Sequence, residues 1–139
     1  MIKKILSTEP LFFDLGLLIA RIWLGVTFIV FHGYRKITNP EGWEKLGTSM
    51  ASLGVDFAPA FWGFMAAFTE SFGALFLLLG FFTRPFSALL AFTMFIATLK
   101  HLLADEKFSY PLEMMAVFTL FAFLGAGKYS LDKLITDRG

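Results

Sequence analysis

Four apolar stretches dominate the chain, each about as long as the roughly 20 residues a helix needs to cross a bilayer. They run about Leu11 to His32, Phe61 to Phe82, Pro85 to Leu103 and Phe108 to Ala126. Their apolar residues follow one another without strand alternation, which argues for helices and against a barrel. Prolines mark the boundaries. Asn39-Pro40 ends the first stretch, because a residue before proline avoids helical geometry. Pro59, Pro85 and Pro111 sit in first turns, where a missing N–H costs nothing. "GFFTRPF" joins the second and third stretches so tightly that they must form an antiparallel hairpin. The longer first connection contains "GWEKLGTSMASLG", which puts Trp43, Leu46, Met50 and Leu53 on one helical face. It predicts a short helix lying in the interface or an amphipathic loop helix packed on the bundle. No Gly/Ser-rich linker divides the chain. The pattern predicts one all-α domain over residues 1–139: an integral membrane four-helix bundle with a short interfacial helix between helices 1 and 2.

Composition sharpens the class. The 139 residues are 57% hydrophobic and 17% charged, with 19 Phe, against about 25% charged in a soluble domain. So short a chain cannot hide that much apolar surface in one globular core, so the lipid bilayer is the second solvent. A net charge of +1 gives no reason to expect nucleic acid, and the absence of Cys excludes disulfides and thiolate metal sites. Lys3 and Lys4 precede the first apolar run, but that run is too long for a signal peptide and contains Arg21. It reads as the first spanning helix. Lys3, Lys4, Arg84, Lys128, Lys133 and Arg138 fall on one side, and Arg35, Lys36, Lys45, Lys100 and Lys107 on the other. The small excess favours cytoplasmic termini in a bacterial or archaeal inner (cell) membrane.

The polar residues inside the apolar runs carry the candidate chemistry. An ionised side chain at mid-helix costs about 2.5–3.5 kcal/mol to insert and needs a partner. Arg21 and Glu70 lie about ten and nine residues into antiparallel helices, so depth alone predicts an ion pair between them. That pair is either a structural clamp or a setting for Glu70 as proton carrier or ligand partner. Helical spacing puts Arg21, Gly25, Phe28, His32 and Lys36 on one stripe. Further stripes are Glu70, Gly73, Leu77, Gly80 and Arg84; Ser87, Leu90, Met94, Ala97 and His101; and Glu113, Val117 and Leu120. His32, His101 and Glu113 fall at the same level, with Lys36 beside them and Glu70 beneath. They form either a titratable cluster or helix caps at headgroup depth. Gly16-x-x-x-Ala20 and Gly63-x-x-x-Ala67 are small-residue patterns that permit close helix approach.

In "RIWLGVTFIVFHGYRKI", "FTESFGALFLLLGFFTRPFSALLAFTMFIATLKH" and "YPLEMMAVFTLFAFLGAGKYSLD" the chain resembles the DoxX family of small four-helix membrane proteins. The matching positions are Arg21, Gly25, His32, Gly33, Lys36, Glu70, Gly73, Gly80, Thr83, Arg84, His101, Glu113, Gly125, Gly127, Ser130, Leu131 and Asp132. The match runs from about Leu15 to Asp132, and Tyr34-Arg35 departs from the apolar or amide residues usual there. The resemblance implies a four-helix membrane fold. It also implies a link to membrane redox complexes, the family being named from subunits of a thiosulfate:quinone oxidoreductase.

Three functions follow as expectations. The first is a membrane subunit of a redox-linked complex that binds a quinone-like or other lipid-soluble ligand in the bundle core. Glu70, His32, His101 and Glu113 would hydrogen-bond the ligand and move protons, while Lys36, Arg21, Phe28 and Met94 would line its slot. Arg21, Glu70 and Arg84 would also hold the fold. With no evident electron carrier of its own, the chain would need a partner to deliver electrons; the expected assembly is a homo-oligomer or a complex with a redox partner subunit. The second is a non-enzymatic adaptor or assembly factor. The third is a metal- or haem-binding protein using His32 and His101, although the residues carry no haem attachment motif.

Overall fold

The computed structural model describes residues 12–138. The expected start of the first helix at Leu11, and the cations Lys3 and Lys4, lie outside the described residues. The described chain is all-helical. Helix α1 runs Phe13–Ile37, α3 Pro59–Leu79 and α4 Thr83–Leu103, and all three are long and apolar enough to cross a membrane. Between α1 and α3 lies the short helix α2, Trp43–Gly47, flanked by tight helical turns at Pro40–Gly42 and Thr48–Leu53. The fourth apolar helix, α5, Ser109–Leu124, has 16 residues. A last short helix, α6, spans Leu131–Thr136 and begins with the Ser130 hydroxyl accepting from Lys133 N–H.

The side chains are arranged for lipid. Trp23, Phe31 and Phe123 are 72%, 66% and 78% exposed, while Arg21, Glu70, Thr83 and Ser87 are buried. Water would reverse that distribution. An interior of Leu17, Phe28, Ala74, Leu77, Leu90, Met94, Phe118 and Phe121 joins α1, α3, α4 and α5. Phe28 meets Phe118 edge-on, 4.9 Å between ring centres. The small-residue patterns divide: Gly63 and Ala67 are buried, Gly63 against the Trp43 backbone of α2, whereas Gly16 faces open space.

Two features position the candidate site. Helix α1 continues past His32 to Ile37, so Lys36 stays helical and is carried over α3 rather than released into a loop. Both α1 and α3 also widen by one π-helical turn, at Ile29–Gly33 and Thr69–Gly73. Such turns insert a residue into an α-helix and frequently mark functional sites. The two wide turns face each other. A Cβ on Gly33 would lie 2.6 Å from the Glu70 carbonyl oxygen, so only glycine allows this approach.

The α3–α4 turn is held from the C-terminal end of the chain. Phe82 adopts a left-handed φ of 46°, a strained conformation for an aromatic residue. The Asp132 carboxylate accepts from Phe82 N–H at 2.7 Å and Thr83 N–H at 3.0 Å, capping α4.

Candidate functional site

The ion pair of the interior is Lys36–Glu70. Lys36 Nζ lies 2.7 Å from Glu70 Oε1 and 2.5 Å from Oε2, contacting both carboxylate oxygens. The Glu70 side chain is 3% exposed and that of Lys36 32%. Continuing α1 as helix brings the ammonium to the carboxylate, and the Trp43 indole N–H donates to the Lys36 carbonyl at 2.8 Å, fixing the end of α1.

The expected partnership of Arg21 with Glu70 does not form. Arg21, fully buried, donates through Nη2 to the Tyr129 carbonyl at 2.5 Å. Its guanidinium lies against Gly80, whose φ of +66° and missing Cβ leave it room. Gly80 is ten positions from Glu70, about 15 Å at 1.5 Å per residue. Counting depth from the ends of the apolar runs put the two charges level, whereas the packing of α1 on α3 sets Arg21 near the end of α3 and Lys36 beside its middle. Arg21 Nε and Nη1 have no hydrogen-bond partner among the described residues.

The polar residues expected to converge fall into separate environments. Glu70, Lys36 and His101 line one cavity of about 240 Å³, with Thr69 and Lys100. The rest of its wall is mainly apolar and comes from α3 and α4 and from Leu46 and Met50 of the α2 segment. His101 Nδ1 is 2.6 Å from Glu106 Oε2. His32 lines a neighbouring, wider pocket together with Lys36. Its Nε2 is 2.8 Å from the Tyr110 hydroxyl, and its ring stacks on Tyr110 with centres 5.4 Å apart. Glu113 is exposed on α5 and makes no hydrogen bond or ion pair among the described residues. Phe28 and Met94 belong to the packed interior. Arg84 is exposed beside Gly125. Among the described residues no cluster of three or more His, Asp or Glu could hold a metal.

Three contributors were not visible as site residues in the sequence. Tyr110 is the hydrogen-bonding partner of His32. Trp43 ties α2 to the end of α1. Trp62 is part of the cavity wall, and its indole Nε1 is buried with no hydrogen-bond partner among the described residues. A buried N–H without an acceptor costs about 1–3 kcal/mol, so this indole carries a standing penalty in the fold. Chemically, the cavity offers an apolar slot, a cationic donor at Lys36 and a carboxylate at Glu70.

The comparisons agree with this architecture. The DoxX profile matches residues 16–102. The chain is 34% identical over 131 residues to "Inner membrane protein YqjF" of Escherichia coli (strain K12), covering 90% of this chain and 95% of that protein. It is 33% identical over 139 residues to "Inner membrane protein YphA" of the same strain, covering 88% of this chain and 96% of the relative. No solved structure matches at a significant level. The membrane-length helices and the inner membrane relatives place the chain in the inner (cell) membrane, with the lipid bilayer around its apolar faces. By profile, by relatives and by its helices, this chain belongs to the DoxX family.

Proposed function

We propose that the protein binds a quinone-like, lipid-soluble molecule in the cavity between α3, α4 and the α2 segment, as the membrane subunit of a redox-linked complex. The observation that carries this reading is the wall itself: about 240 Å³ of mainly apolar space beside the buried Lys36–Glu70 pair. Ligand pockets commonly measure about 300–1,000 Å³, with apolar walls and few polar groups. This one is the size of a single-ring headgroup, with the tail left in lipid.

A quinone accepts two electrons and two protons, and in this reading a partner subunit delivers the electrons. Lys36 donates to a ligand carbonyl oxygen. Glu70 takes and returns a proton, and Lys36 holds it charged until it does. His101, also in the wall, connects the cavity to the surface through Glu106.

In this reading α1, α3, α4 and α5 all cross the membrane as one bundle. At about 1.5 Å per residue the 16 residues of α5 span about 24 Å, short of a hydrocarbon core of about 30 Å. Local thinning or the flanking residues take up the difference. The α2 segment lies at the interface, and the termini are cytoplasmic. A second reading, a non-enzymatic adaptor, is favoured by Glu113. This carboxylate is exposed on an apolar helix, where contact with a partner subunit or second copy would satisfy it.

Titration of the purified protein with a short-chain quinone, followed by calorimetry, tests the cavity. Saturable binding that is lost in Ala97→Phe, which fills the slot, supports the ligand reading. Equal binding in that variant overturns it. Glu113→Leu that dissolves a complex while leaving quinone binding unchanged supports the adaptor contact as a separate role.

A further inference from the structure

Beside the cavity lies a second pocket of about 490 Å³, and its charge is one-sided. Arg35, Lys36, Lys45, Lys100 and His32 line it, and no carboxylate does. Lys36 is neutralised by Glu70. Arg35, Lys45 and Lys100 make no ion pair among the described residues. Glu41 and Glu44 occupy the same connection, yet neither lines the pocket nor pairs with these cations. Three cations from α1, α2 and α4 therefore converge on one concavity without an anion.

Like charges gathered in this way repel one another and are unfavourable unless something negative sits among them. Asn39 supplies a neutral polar side chain to the same wall, and His32 an imidazole. The pocket shares Lys36, Leu46 and Lys100 with the apolar cavity, so a polar head here continues into an apolar slot.

We propose that this pocket is a phosphate-binding site, occupied by the phosphodiester of an anionic phospholipid headgroup or by free inorganic phosphate. Arg35 grips the phosphate oxygens in the planar manner of a guanidinium, and Lys45 and Lys100 act as point charges around it. The site does not depend on what fills the neighbouring cavity, because Arg35 and Lys45 line this pocket alone.

The test is native mass spectrometry of the full chain from nanodiscs of phosphatidylglycerol and phosphatidylcholine mixed equally, with inorganic phosphate as competitor. The wild type is expected to retain phosphatidylglycerol preferentially. The double variant R35Q/K45Q is expected to weaken that retention about thirtyfold, from about fivefold for each near-surface cation. Lys128→Gln, at the opposite end of the molecule, should leave it unchanged. Competition by inorganic phosphate at millimolar concentration assigns the site to the phosphate group itself. Retention unmoved by phosphate assigns it to the lipid. Equal retention of both lipids with no saturable phosphate binding would overturn the proposal. So would a phosphatidylglycerol preference that survives in R35Q/K45Q.

Discussion

Replacing Lys36 with Met should destabilise the protein more than any surface change, and removing Glu70 as well should restore most of the loss. The variant leaves the Glu70 carboxylate, only 3% exposed, in a mainly apolar wall without the ammonium that contacts both its oxygens. Breaking a buried pair by removing one partner costs about 3–5 kcal/mol. Lys36 is 32% exposed, so some water reaches its end of the pair, and about 3 kcal/mol is the fitting magnitude. That is more than a hundredfold in the folding equilibrium. Lys36→Met with Glu70→Leu carries no buried charge and should fall within about 1 kcal/mol of the wild type, because apolar replacement of a buried pair is often neutral. The assay is a double-mutant cycle on reversible unfolding in mixed detergent micelles. A coupling of about 2 kcal/mol or more is expected. Single and double effects that add to within about 0.5 kcal/mol would refute the pair as an energetic unit.

Other consequences follow from the same geometry. Gly33→Ala should lower the unfolding midpoint as overpacking does, by about 1–3 kcal/mol, since its Cβ would press on the Glu70 carbonyl. The same variant should weaken quinone binding by displacing Glu70. Gly80→Ala combines a left-handed backbone with contact on the Arg21 guanidinium and should cost about 1–3 kcal/mol in the same unfolding assay. Asp132→Ala removes the cap of α4 and should cost about 1–2 kcal/mol, with protease sensitivity rising at the α3–α4 turn. Trp62→Phe should leave the fold intact and lower quinone affinity several-fold, because the smaller ring removes part of the cavity wall; unchanged affinity would remove Trp62 from the site.

Much of the architecture was legible because burial in lipid writes itself as long apolar runs. The three long helices could be read from run length, the α3–α4 hairpin from "GFFTRPF", and the first-turn prolines from their fixed φ. The identity of the buried pair was not legible. Run length gives depth only to a few residues, and although helical spacing carried the α1 stripe on to Lys36, it could not show which carboxylate Lys36 meets. Nor could it show that α1 and α3 each widen by a π turn, because such turns follow from packing between helices rather than from local propensity. His32 was legible as a polar residue on a helical stripe, but its partner Tyr110 sits among apolar neighbours where a hydroxyl gives no periodic signal. Glu113 illustrates the limit of stripes. Its position in α5 set its level, but only the packing of α5 on α4 decides that it faces outward.

A photolabile quinone analogue, irradiated in native membranes and mapped by peptide mass spectrometry, tests the central claim most directly. If the space beside Lys36 and Glu70 holds the ligand, adducts should fall on cavity residues such as Met65, Thr69 and Ile96, and an excess of unlabelled quinone should abolish them. Adducts confined to lipid-facing residues such as Trp23 and Phe123, unaffected by that excess, would contradict it.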